Sequence, residues 1–118
     1  NSTLTRLSLG NNDIDGVGVR MLAAALKENS TLHQLFLHDN KLGDVGTSAL
    51  ADSLLSNSTL RELYLPGNGI SDTSSRDLGC ALAHNTSLLK LDLRSNNISD
   101  VGASNLATGL QNNSVLMY

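Results

Sequence analysis

Aromatic residues are almost missing from this 118-residue chain, which has two Tyr, one Phe and no Trp. A core must therefore be built from Leu, Val, Ile and Ala. Proline occurs once, and so does cysteine, as Cys80, so no disulfide can close within the chain. A short secreted domain normally carries more cysteine, and its scarcity points to a reducing, cytoplasmic setting. Basic runs are absent too. Eight Lys and Arg stand against 11 Asp and Glu, for a net charge of −3, which argues against nucleic acid as a partner, since that needs clustered positive charge. No apolar run approaches the roughly 18 residues of a membrane span, and no signal-peptide pattern opens the chain, so no membrane contact is expected. What is present, 40% hydrophobic and 16% charged residues, suits one modest domain with a buried core.

The sequence repeats. Asn1-Ser2-Thr3-Leu4 recurs as Asn29-Ser30-Thr31-Leu32, Asn57-Ser58-Thr59-Leu60 and Asn85-Thr86-Ser87-Leu88, each 28 residues on, and a fifth copy begins at Asn113. Other columns keep the step: Leu7/Leu9, Leu35/Leu37, Leu63/Leu65 and Leu91/Leu93, then Asn12, Asn40, Asn68 and Asn96. A fixed period of this length marks a repeat architecture. The domain is thus one run over 1–118, with repeats 1–28, 29–56, 57–84 and 85–112 and a partial fifth, 113–118.

Within a repeat the hydrophobic spacing changes once. The Leu-x-Leu pair alternates as a strand with one buried face does, whereas Val17, Leu22, Ala25 and Leu26 suggest an apolar helix side. Helices are expected over 16–28, 44–56, 72–84 and 100–112. Strand, helix and strand of the same sense give a parallel sheet, and stacking wide helices on closely spaced strands bends the array into an α/β solenoid arc. Strands line the concave face and helices the convex face.

The run Leu-x-Leu-x-x-Asn at a 28-residue period, with helix starts such as Asp44-Val45-Gly46, resembles the ribonuclease-inhibitor class of leucine-rich repeats. That class includes ribonuclease inhibitors, the sensor domains of NOD-like receptors and the GTPase activators of Ran. The resemblance covers the whole chain. It implies a non-catalytic protein-interaction module, in the first instance the ligand-sensing or regulatory repeat region of a larger protein such as a NOD-like receptor. A Ran-type activator fragment is the alternative, although no residue matches such an activator's functional loops and no acidic tail is present. The resemblance also makes Asn12, Asn40, Asn68 and Asn96 a structural asparagine ladder, consistent with the donor and acceptor each amide offers to turn backbone.

A second column, Asn29, Asn57, Asn85 and Asn113, ends each helix, where Asn is expected to adopt the left-handed closing conformation. Glycosylation sequons occur at Asn1, Asn29, Asn57, Asn85, Asn97 and Asn112, which raises a secreted or cell-surface glycoprotein as a further alternative. Asn113 keeps the column without being a sequon, so the column has another reason to exist. Asp44, Asp72 and Asp100 read as helix caps or first-turn acids. Ser74, Ser75 and Asp77 make the third repeat the most divergent, and its helix is expected to start irregularly.

Chemistry is hard to find. Gly16-Val17-Gly18 resembles part of a dinucleotide loop but lacks the third glycine. His33, His38 and His84 have no metal-ligand spacing among themselves or with Cys80, which reads as a small packing residue. No serine sits in a nucleophile elbow. Neither cofactor nor enzymatic activity is expected.

A partner would meet the residues beside the inward leucines. These are Arg6, Ser8 and Gly10; Gln34, Phe36 and His38; Glu62, Tyr64 and Pro66; and Lys90, Asp92 and Arg94, with Tyr118 opening a fifth strand. All three aromatic residues fall at these outward positions. Aromatics suit strands and pack against one another there, yet a core without any ring beside a surface that holds them all suits a binding site. The expected partner-binding patch is Phe36, Tyr64 and Tyr118 with Gln34, His38, Glu62, Lys90, Asp92 and Arg94. Finally, the chain starts on a repeat boundary and stops inside a strand without capping repeats. It is expected to be a fragment of a longer solenoid, or to associate end to end through apolar ends.

Overall fold

The computed structural model describes residues 1–118. Strand and helix alternate four times: β1 Arg6–Ser8, α1 Gly16–Glu28, β2 Gln34–Phe36, α2 Gly43–Leu54, β3 Glu62–Tyr64, α3 Asp72–His84, β4 Lys90–Asp92 and α4 Asp100–Leu110. The strands form one parallel sheet in the order β1-β2-β3-β4. Its register is the sequence period itself, because Leu7 pairs with Leu35, Leu35 with Leu63 and Leu63 with Leu91. The start of the fifth repeat continues the ladder, with Leu91 N–H donating to the Tyr118 carbonyl and Met117 N–H to Leu89. The result is an arc of 39 × 31 × 20 Å.

One stripe of leucine fills the space between sheet and helices. Leu35, Leu37, Leu42, Leu50, Leu54, Leu60, Leu63, Leu65, Ile70, Leu78, Leu82 and Leu88 are all fully buried, and each removes an aliphatic side chain from water at roughly 1.5–3 kcal/mol. No aromatic ring takes part.

Of the helix residues the spacing singled out, Leu22 and Leu26 face the core, whereas Val17 and Ala25 are exposed. Val17 is 69% exposed, as are Val45 and Val101 at 62% each. The core-facing residues of α1 are Val19, Ala23 and Leu26, with Leu22 partly buried against the core. Val17 stands five residues before Leu22, about 140° round a helix of roughly 100° per residue, whereas Val19 stands three before it. The Val19 column is disguised in the next repeats by Thr47 and Ser75, both fully buried. Their hydroxyls donate to the backbone carbonyls of Gly43 and Ser71, each at 2.8 Å, and so enter the core satisfied.

Two asparagine columns stitch the repeats together. Asn40 Nδ2 donates to the Leu37 and His38 carbonyls of its own turn and to Leu9 of the previous repeat, while its Oδ1 accepts from Ile14 N–H. Asn68 and Asn96 repeat this pattern. The helix-end column is a second ladder. Asn57 Nδ2 donates to the carbonyls of Leu26 and Asn29 in the previous repeat and its Oδ1 accepts from Thr59 and Leu60 N–H; Asn85 and Asn113 do the same one and two repeats on. The left-handed closure expected there is not found: Asn29 and Asn85 are extended, at φ −81° and −74°. Amide reach, not backbone tolerance, selects Asn. One left-handed column lies instead in the turns after the strands, at Asn11, Asp39, Gly67 and Ser95, and Gly43 and Gly69 are left-handed besides.

Asp15 caps its own helix through the Val17 and Gly18 N–H groups, but of the three acids expected as caps, Asp44 and Asp72 serve the following helix and Asp100 bonds to neither. Asp44, in the first turn of α2, accepts from the hydroxyls and backbone N–H groups of Ser71 and Ser74 at the start of α3. Asp72 receives Ser99 and the Gly102 N–H in the same way. The third helix therefore starts regularly, capped by Ser71, and its divergent Ser74 is the hydroxyl that meets Asp44. The irregular start belongs to α2, which has no capping side chain. There the column holds Gly43 where its neighbours hold Asp15, Ser71 and Ser99, and the preceding repeat holds Gly16 where Asp44 and Asp72 stand. Giver and receiver are missing from the same interface.

Candidate functional site

Each strand is only three residues long, with its central leucine turned into the core and its two flanking side chains on the concave face. The parallel register places those flanking residues in straight columns across the sheet: Arg6, Gln34, Glu62 and Lys90 in one, Ser8, Phe36, Tyr64 and Asp92 in the other. A strand spacing of roughly 4.8 Å fixes how far apart neighbouring side chains stand.

Phe36 and Tyr64 stack, with ring centroids 4.4 Å apart and planes 7° from parallel. The Arg6 guanidinium lies over the other face of Phe36 at 4.6 Å from its centroid. The Lys90 ammonium lies 5.3 Å from the Tyr64 ring and 5.7 Å from Tyr118, which is 78% exposed. The order across the sheet is cation, ring, ring, cation, ring. Such contacts hold flexible basic side chains in place at about 0.5–1 kcal/mol each when exposed.

Hydrogen bonds tie the polar members to the rings. The Tyr64 hydroxyl donates to Glu62 Oε2 at 2.6 Å. That bond, with the Gln34 amide and the charges of Lys90 and Arg6, outweighs partial burial and holds the Glu62 carboxyl below its ordinary range. Lys90 is held above its ordinary range by the Tyr64 hydroxyl, with the carboxylates of Glu62 and Asp92 adding to the effect. Asp92 grips the Arg94 guanidinium through both oxygens, at 3.0 Å to Nε and 2.7 Å to Nη2, which lowers the one pKa and raises the other.

Of the nine residues named from the sequence, Phe36, Tyr64, Gln34, Glu62, Lys90 and Tyr118 form one connected cluster, and Asp92 with Arg94 borders it. His38 stands apart. Its ring fills the space beside Gly10, where an added β-carbon would come within 2.1 Å of the imidazole. Arg6 joins the cluster although it was not among the nine. Its column position was visible in the sequence, but its lean across to Phe36 was not.

Elsewhere the chemistry stays scattered. No group of three His, Cys, Asp or Glu side chains is placed to hold a metal ion. His84 Nδ1 sits 2.9 Å from the Cys80 carbonyl, a local helix contact. Cys80 is exposed, not packed as expected. It shares its column with Ala24, Asp52 and Thr108, all solvent-facing, and the Asp was the signal. Asn57 and Asn85 are buried at 4% and 6% exposure with their amides engaged in the ladder, whereas Asn1, Asn97 and Asn112 are exposed. At the ends of the arc Leu4 and Leu110 are 44% and 45% exposed. No helix is long and apolar enough to cross a membrane.

Comparison with known proteins agrees with this architecture. The family model described as Leucine Rich repeat matches residues 1–23, 28–51, 56–74 and 84–107. Among solved structures the chain is similar to one titled leiomodin-1 actin-binding site 2, with a TM-score of 0.89 and 23% identity over 98% of this chain and 68% of that one. It is also similar to the tropomodulin C-terminal domain of Caenorhabditis elegans, with a TM-score of 0.60 and 15% identity over 94% of this chain and 84% of that one. At these identities the likeness is one of fold. No curated protein sequence matches.

Proposed function

Because the chain belongs to the leucine-rich repeat family, we propose that it is a non-catalytic protein-interaction module that docks its partner on the concave sheet face. The observation that carries this reading is the Arg6–Phe36–Tyr64–Lys90–Tyr118 row. The molecule places every Phe and Tyr ring on a solvated surface and fixes them there with cations and, at Tyr64, a hydrogen bond, whereas its core is built without any. Rigid rings bring contact area at low entropic cost, and a polar rim of Glu62, Asp92 and Arg94 supplies orientation. A reducing compartment suits the free, exposed Cys80.

The test is capture from cell extract by this chain and by a Phe36→Ala/Tyr64→Ala variant whose fold is checked by circular dichroism. One partner retained by the parent and lost by the variant supports the concave site. Identical capture by both makes the stack ordinary strand packing and moves the search to helices and loops.

Actin is the first specific partner to try, on the strength of the likeness to a leiomodin-1 region titled as an actin-binding site. Co-pelleting with actin filaments, lost in the same variant, supports it, and no pelleting removes it. The narrower readings, a member of the ribonuclease-inhibitor class or the sensing region of a NOD-like receptor, rest on the repeat pattern alone, as does a Ran-type activator.

A further inference from the structure

Charge is spread unevenly over the molecule. The stretches 5–10, 33–38, 61–66 and 89–94, the strands with their immediate flanks, hold four of the eight Lys and Arg residues: Arg6, Arg61, Lys90 and Arg94. They hold only two of the eleven Asp and Glu residues, Glu62 and Asp92. The rest of the chain therefore has four basic and nine acidic residues. Arg61 turns aside to the Ser87 carbonyl, so the outward strand positions carry Arg6, Lys90 and Arg94 against Glu62 and Asp92, a small positive excess on the concave side of a protein of net charge −3.

Asp92 is paired with Arg94, and Glu62 is fixed by the Tyr64 hydroxyl while keeping its charge. Arg6 and Lys90 take part in none of the three ion pairs, which are Lys27–Asp52, Lys41–Asp13 and Arg94–Asp92. Each is held instead over a ring face, where the neighbouring Glu62 offsets its charge only in part. The rings add to the same preference. The faces of Phe36 and Tyr64 are covered by each other and by the two cations, so an arriving chain meets their edges, which carry partial positive charge.

We infer that the occupant of the concave face is an acidic protein segment, laid across the strands with one carboxylate on Arg6, another on Lys90 and its backbone over the Phe36–Tyr64 edges. This deepens the concave-face reading above and rests on it. The two cations stand three strand steps apart, roughly 14 Å at about 4.8 Å per step. An extended peptide spans that distance in about four residues. Charge complementarity of this kind sets encounter rate and register more than raw affinity.

A phage-displayed library of random linear 12-residue peptides, selected against the folded chain, tests the inference without a known ligand. The expected winners carry two Asp or Glu residues about four apart. By fluorescence anisotropy, changing both to the amide weakens binding about tenfold. The Arg6→Gln/Lys90→Gln variant, with an unchanged melting temperature, binds them about five- to tenfold more weakly, and added salt has a similar effect on the parent. Neutral or basic winners, no winners, or acidic winners that bind the charge variant unchanged would each overturn the inference. So would equal competition by heparin or single-stranded RNA, which would mark a general polyanion surface. Neutral winners lost on Phe36→Ala/Tyr64→Ala remove this inference alone and keep the concave site. Acidic winners indifferent to that aromatic variant remove both.

Discussion

Asn12 and Asn68 hold the same column two repeats apart, yet their amides carry different loads. Asn12 is exposed and donates only within its own turn, to the Leu9 and Gly10 carbonyls. Asn68 is 2% exposed and donates to Leu37 of the repeat before as well as to Leu65 and Pro66. Removing a buried amide leaves carbonyls unpaired at about 1–3 kcal/mol each, whereas water replaces an exposed one. Asn68→Ala is therefore expected to cost about 2–4 kcal/mol in urea unfolding and Asn12→Ala less than about 1. Equal costs would mean that the ladder acts one turn at a time and does not bind repeats to each other. Asp44 gives a second residue-scale expectation. Partial burial pushes its pKa up, but the hydroxyls and N–H groups of Ser71 and Ser74 outweigh burial and hold it below the ordinary carboxylate value of 3.8. A group with a lowered folded pKa stabilises above its unfolded value and loses that contribution as pH falls through the folded one. The parent should thus lose stability below about pH 4, and Asp44→Asn should flatten that acid limb while costing about 1–2 kcal/mol at pH 7. An acid limb of unchanged slope would assign the loss to other carboxylates.

At the scale of elements, the helices do not stack evenly. Where α3 meets α4 the sequence places Gly79 and Gly109, and a β-carbon on Gly109 would come within 2.1 Å of the Gly79 carbonyl oxygen. The same two columns hold Ala51 and Ala81 at the α2–α3 contact, so this close approach belongs to one interface. Alanine favours a helix over glycine by about 1 kcal/mol; overpacking of this severity costs about 1–3 and should win. Gly109→Ala is expected to lower the melting temperature by about 5 °C. A higher melting temperature would mean that α4 slides outward freely. This scale also shows where the sequence was readable. The period fixed strand register to the residue and the helices to within two residues at each end. It did not fix the buried helix face, because Thr47 and Ser75 enter the core as polar residues satisfied by their own backbone. It did not reveal Asp44 as a partner of Ser71 and Ser74, since a column shows what repeats and not which repeat it serves. The concave columns were legible because strand alternation leaves no other face. The Phe36–Tyr64 stack followed from that register, while the placement of Arg6 depended on a side-chain direction that no spacing encodes.

For the whole molecule, stability is approximately a sum of repeat and neighbour contributions, and burial is concentrated in the middle. Six residues of α2 and six of α3 are buried, against three of α1 and two of α4, the last pair both glycines. Amide hydrogen exchange should therefore be slowest in α2, α3 and at Leu35 and Leu63, and about ten- to a hundredfold faster in α1, β1 and α4. The same gradient bears on binding. Arg6 sits on β1, at the weakly protected end, whereas Phe36, Tyr64 and Glu62 lie on the central strands. A ligand that uses Arg6 must hold β1 in place, so binding should slow exchange at Leu9 and Asn11, whose amides bond to the Phe36 and His38 carbonyls. Ligand protection confined to β2 and β3 would place the contact on the rings alone. Uniform exchange in the free chain would show that the inter-repeat asparagine and aspartate bonds make the four repeats open as one unit, and Arg6 would then be as firmly presented as the rings it covers.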